Sequence, residues 1–209
     1  MLVAPAHRPT LREELAALPA RGRALAVAAL ALFAVAAAAI AVLAVTPSGT
    51  HVVRERPVAF NLRYDAPMRE VAPQPGELLW LEHGRLETFT VSPLRLPPYR
   101  GKVDGVLPVV ADREWADLRR RFPGLKPVED GKARLNRVAG YGLLFRLPGK
   151  PKLFGRLVLL PRPAAGARDG VKLLMLGGPA TGNRGPRSVG NEGTLDRAYH
   201  SFTFGTEGA

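Results

Sequence analysis

The side chains able to do covalent or acid–base chemistry are few, and none falls into a spacing that assembles a reaction centre. Serines at 48, 92, 188 and 201 are each outside a G-x-S-x-G turn, the strained elbow that exposes a nucleophilic hydroxyl. Beyond residue 45 the histidines are His51, His83 and His200, which show neither H-E-x-x-H nor paired-ligand spacing. Cysteine is absent from all 209 residues, which excludes a thiol nucleophile, thiolate metal ligands and disulfides. No catalytic, cofactor-binding or metal-binding residue is therefore assigned from the sequence, and no cofactor is implied. His83 reads as part of a hairpin turn, and His200 as a residue near a helix end, where a cationic imidazole is favoured.

One glycine-rich stretch, Gly177-Gly-Pro-Ala-Thr-Gly182-Asn-Arg184-Gly185, has the composition that lets backbone amides approach an anion. It lacks the G-K-[ST] ending of a phosphate loop, and Pro179 removes one donor, so it reads as a flexible surface loop. Arg184 and Arg187 make it a candidate contact segment. A second is Pro97-Pro98-Tyr99-Arg100, because aromatic and Arg side chains are enriched at protein interfaces. The candidate interaction residues are thus Pro98, Tyr99, Arg100, Arg184 and Arg187. Trp80 and Trp115 read as core.

The elements that position these residues follow from hydrophobic periodicity. Phe60, Leu62 and Tyr64 alternate with Asn61, Arg63 and Asp65, the period of a half-buried strand. Pro67 and Pro73-Gln-Pro75-Gly76 then predict a loop. Leu78–Glu82 and Arg85–Leu94 predict a hairpin through Glu82-His83-Gly84, with Phe89 and Val91 facing the core. Leu107, Val110, Ala111, Trp115, Leu118 and Phe122 form one helical stripe, stopped by Pro123-Gly124. Ala133–Val138 and Tyr141–Leu147 predict a second hairpin, turning at Ala139-Gly140; Arg156–Leu160 and Val171–Leu176 are apolar strands. A short helix around Leu195, Ala198 and Tyr199 precedes a last strand at Phe202 and Phe204. Strands segregated from two main helices specify an α+β domain, an antiparallel sheet with the helices packed on it.

Upstream lies a different kind of segment. Residues 24–45, ALAVAALALFAVAAAAIAVLAV, are uncharged and long enough for one transmembrane helix, which needs about 20 apolar residues. Twelve are Ala, so insertion rests on the ten Leu, Val, Ile and Phe residues. Arg8, Arg12, Arg21 and Arg23 precede it and no Lys or Arg occurs from 46 to 53, which predicts residues 1–23 inside the cytoplasm and the C-terminal domain outside. Val42-Leu43-Ala44 leaves a signal peptide cleaved near Ala44 as the alternative to a permanent signal anchor. The division is then a tail, 1–23; the span, 24–45; a polar linker, 46–57; and an extracytoplasmic α+β domain, 58–209.

Beyond residue 45 there are 26 basic and 16 acidic side chains, a net of +10. That excess favours an anionic surface as a partner, while outward topology argues against nucleic acid. The pattern resembles the Mog1/PsbP-like family. The resemblance rests on Phe60-Asn-Leu62-Arg-Tyr64-Asp-Ala-Pro67, on Val138-Ala-Gly140-Tyr141-Gly142-Leu143-Leu144-Phe145, and on His200-Ser201-Phe202-Thr203-Phe204. It implies an α/β/α sandwich used as a docking module without shared catalytic residues. The expected function is a membrane-anchored, non-catalytic binding or accessory module for an envelope protein. The alternatives are an envelope hydrolase with an unrecognised site, and a basic domain binding anionic lipid or cell-wall polymer.

Overall fold

The computed structural model describes residues 19, 32, 49–84 and 86–207, and among those from Gly49 onward there are ten strands, two helices and three 3-10 turns. The stretch read as a membrane span lies outside these apart from Leu32, and among the described residues no helix is long and apolar enough to cross a membrane. Residues from Gly49 onward form one compact unit.

Seven strands make a fully antiparallel sheet: β3 (Arg69–Val71), β4 (Leu79–His83), β5 (Glu87–Arg95), β6 (Lys126–Leu135), β7 (Val138–Leu147), β8 (Leu153–Pro161) and β9 (Asp169–Gly177). Their spatial order is β3-β4-β5-β9-β8-β7-β6. A second sheet joins β1 (Thr50–Arg54), β2 (Phe60–Tyr64) and β10 (Thr203–Phe204) in the order β1-β2-β10. Helix α1 (Leu107–Arg121) covers one face of the large sheet; the small sheet and α2 (Asp196–Ser201) cover part of the other.

Covering both faces explains why β8 reads as a nearly unbroken apolar run: alternate residues serve different cores. Leu157 and Leu159 pack under α1 with Leu143, Phe145 and Trp115. Phe154, Val158 and Leu160 pack with Phe60, Leu62, Tyr199 and Phe202. Gly155 is required between them, since a Cβ there would lie 2.1 Å from the Phe145 ring. Helix α1 buries the stripe read from its periodicity, begins with a proline in its first turn, and ends on Arg119, Arg120 and Arg121 beside the negative end of its dipole. Lys172 of β9 ties it down through Glu114, 3.1 Å away.

The differences from the sequence reading have local causes. Part of the stretch read as a linker, residues 50–54, is strand β1, paired residue for residue with β2. Asn61, expected on the outer side of β2, is fully buried because residues 203–207 bond to its side chain. Its amide donates to Gly205 O at 2.9 Å and its carbonyl accepts from the Thr203 hydroxyl at 2.9 Å. The loop after Pro67 contains the short strand β3. The second hairpin turns at Asn136-Arg137, both with positive φ, and not at Ala139-Gly140. Asn tolerates that conformation, and its side chain donates to the carbonyls of His200 and Phe202 at 2.7 and 2.6 Å. That shift places Gly140 in β7, where a Cβ would lie 2.4 Å from Leu159 O.

Candidate functional site

On the β6–β8 half of the large sheet, the face beyond α2 is open. A groove of about 280 Å³ runs there, lined by Glu129, Lys132, Arg134, Arg156, Tyr199 and His200 among others. Arg156 is its centre. It interrupts the apolar run of β8 on the same side as Phe154 and Val158, so its stem is half-buried and its head must find acceptors. The guanidinium donates to Asn191 Oδ1 at 3.1 Å and to Arg187 O at 2.8 Å, and stacks over the Tyr199 ring at 5.5 Å. Burial lowers the pKa of Arg156 from its ordinary value, against the influence of Tyr199. The same burial raises the Tyr199 phenol, and Arg156 opposes that rise.

The rim is charged and paired. Arg187 Nε donates to Glu129 Oε2 at 2.8 Å, joining the glycine-rich segment to β6. His200 stacks edge-on against Tyr199 with centroids 5.0 Å apart, and its Nε2 lies 3.5 Å from Asp196 Oδ1. Two further clefts continue the surface. One, bounded by Val128, Glu129, Arg146, Pro186 and Arg187, meets a second containing Lys126, Arg146, Lys152 and Arg184. Glu129 belongs to the groove and to the first cleft, and Arg146 to both clefts, so the three share walls along β6–β8.

A separate polar cluster lies at the β4–β5 hairpin. Glu87 shares a face with Phe89 and Val91 and is fully buried. His83 Nδ1 lies 2.9 Å from Glu87 Oε2. The Thr194 hydroxyl donates to the same oxygen, and Asn183 Nδ2 lies 3.5 Å from the other. His83, Thr181, Thr194, Asp65, Asp196 and Arg197 border a neighbouring cavity of about 450 Å³. A carboxylate-oriented imidazole is the geometry of a general base, but the Thr194 hydroxyl is committed to Glu87 rather than to His83. What the cluster does is pin residues 178–194 to the hairpin. Among the described residues no group of three or more His, Asp or Glu is placed to hold a metal ion.

The candidate contact residues divide between two places. Arg187 sits on the groove rim and Arg184 in the basic cleft, its Nε 3.8 Å from Glu192 Oε2. Pro98 and Arg100 are exposed elsewhere, while Tyr99 is half-buried against the α1 core and donates its hydroxyl to Ala167 O at 3.0 Å. The segment read as a flexible surface loop is instead anchored: Asn183 and Val189 are fully buried, and a Cβ on Gly193 would lie 2.2 Å from Thr181 O. Its glycines allow close packing of the segment on itself. Sequence reading missed Arg156, Tyr199, Glu87, Lys126 and Arg146. The available signal for the first and third was parity: each is a lone charge at a position whose strand neighbours face a core.

No family model matches the chain, and no curated protein matches its sequence. A solved structure does match its architecture: the solution structure of cyanobacterial PsbP (CyanoP) from Synechocystis sp. PCC 6803, at 13% identity, covers 77% of this chain and 95% of that one with a TM-score of 0.52. At that identity the likeness concerns the backbone, and the side chains of the groove are this chain's own. With its two antiparallel sheets and two main helices, the described domain has the PsbP-like α/β/α sandwich fold.

Proposed function

We propose that this domain is a non-catalytic binding or accessory module that docks an envelope protein across the β6–β8 face, held outside a membrane by residues 24–45. The observation that carries the docking reading is the fixed state of the groove: Arg156 is already oriented by Asn191, Arg187 and Tyr199. A surface whose Arg side chain is ordered before binding loses less rotamer entropy on association, and Arg is among the residue types that dominate interfaces. The anchor reading rests on the length and lack of charge of residues 24–45 and on the four arginines before them.

A photoreactive amino acid at Lys132, which lines the groove, and in a second strain at Val109, exposed on α1, tests the reading in cells producing the full chain. The expected result is a discrete crosslinked protein from position 132 that disappears when Arg156→Ala is added. Equal products from both positions, or a product from 132 that is indifferent to Arg156→Ala, would overturn it.

A further inference from the structure

The cleft where the β7–β8 turn meets residues 184–185 carries four cations, Lys126, Arg146, Lys152 and Arg184, and no acidic side chain lines it. Among the described residues, the side chains of Lys126, Arg146 and Lys152 make no ion pair or hydrogen bond, as is true of several other exposed cations, but here they converge on one cleft. Lys126 and Arg146 are moreover directly opposite each other in the β6–β7 ladder. Like charges at facing positions of an antiparallel pair oppose pairing. A local conflict of this sort with no compensating acid marks a site shaped for something other than stability. An anion between the two cations removes the conflict.

The shape of the cleft narrows the anion. Its volume is about 460 Å³, and half-buried Leu147 and Leu153 contribute apolar walls. Size and lining are those of a small-molecule site. An extended peptide is disfavoured because β6, the neighbouring edge strand, has Pro127 and a bulge between Pro127 and Glu129 at this end. A tetrahedral phosphate, by contrast, presents several acceptor oxygens to convergent Lys and Arg donors. We infer that this cleft binds a ligand in which a phosphate group is joined to an apolar body. The inference is independent of the docking reading: its failure leaves the groove untouched, and the reverse holds.

The absence of cysteine and the open space at Gly185, where a Cβ meets no atom within 4 Å, give a clean reporter. Gly185→Cys carrying an environment-sensitive dye is prepared in the full chain, in nanodiscs of phosphatidylcholine, at low salt. Hexyl phosphate is expected to shift the emission saturably, inorganic phosphate to require a concentration about tenfold higher, and hexanol to do nothing. Lys126→Glu with Lys152→Glu should weaken hexyl phosphate binding by at least about tenfold. The equally charged pair Arg113→Glu and Arg168→Glu, on exposed positions outside the cleft, should change it by less than about twofold. Lys126→Glu sets an acid opposite Arg146, so loss of folding does not explain lost binding, and a thermal melt checks this. Repeating the titration in phosphatidylglycerol nanodiscs distinguishes sources: a response already present and no longer titratable identifies a lipid headgroup, an unchanged titration a soluble ligand, and either upholds the chemistry. No saturable shift, an equal response to hexanol, equal weakening by the control pair, or phosphate as effective as hexyl phosphate would overturn it.

Discussion

Arg156, Glu87 and Tyr199 show how single polar groups are accommodated in a fold whose sheet is covered on both faces. Each lies where its strand or helix turns it toward apolar neighbours; Arg156 and Glu87 are matched by partners that arrive from the 178–201 segment, and Tyr199 of that segment is matched by Arg156. For Glu87 the matching is near complete, and removing the carboxylate would leave His83 and Thr194 without this acceptor, a loss of about 1–3 kcal/mol. The position of Glu87 on the core side was legible from its alternation with Phe89 and Val91; its partners Asn183 and Thr194 were not, since they lie 96 and 107 residues along the chain. For Tyr199 the consequence appears at alkaline pH. Burial holds its phenol neutral above the pH near 10 at which the unfolded chain ionises. Unfolding there releases a proton, so stability is fully present below that pH and falls as pH rises through it. Denaturant midpoints measured from pH 8 to 11 should decline for the wild type and decline less for Tyr199→Phe. Parallel slopes would place the alkaline loss elsewhere.

Strand β6 is the element that sequence reading served least. Residues 126–132, Lys-Pro-Val-Glu-Asp-Gly-Lys, show no apolar alternation because β6 is the outer strand and mostly exposed. The features that hide it from a periodicity argument protect it as an edge: charges, a proline and a bulge deter another chain from pairing there. Strand β1 was missed for a related reason, since only Val52 of its five residues is buried. By contrast α1, the β4–β5 hairpin and strands β8 and β9 were legible, because each faces at least one continuous core and must repeat its apolar residues at a fixed period. The candidate site was read less well. Arg184 and Arg187 were named as candidate contacts, but the acid that Arg187 meets, Glu129, belongs to β6, and only the fold brings the two together. At this scale the facing cations of β6 and β7 yield a prediction. Lys126→Glu converts a repulsive cross-strand pair to an attractive one and should stabilise the domain by about 0.2–1 kcal/mol, read from the urea midpoint at low salt. The gain should shrink in high salt, as screening requires.

The molecule as a whole joins a strongly basic domain to an apolar N-terminal stretch, and the cysteine-free sequence makes the proposed topology directly measurable. With Ser48→Cys or Ala6→Cys as the sole thiol, a membrane-impermeant maleimide applied to intact spheroplasts should label position 48 and not position 6. Labelling of both, or of 6 alone, would contradict the outward orientation. Within the domain, chain connectivity is uneven. The large sheet joins β6 to β7, β7 to β8 and β8 to β9 through successive antiparallel neighbours, all local in sequence. The small sheet adds a distant pairing to the local one of β1 with β2: β2 pairs with β10, and Asn61 meets Thr203 across 142 residues. Local hairpins form early, whereas a distant pairing must await loop closure. On a ribosome delivering the chain from its N-terminus, β2 emerges early but waits for Phe204 before its second edge is covered. The small sheet is therefore a completion check: a polypeptide stalled anywhere before residue 203 carries Asn61 and one edge of β2 bare, available to a chaperone or a protease, while a finished one conceals both.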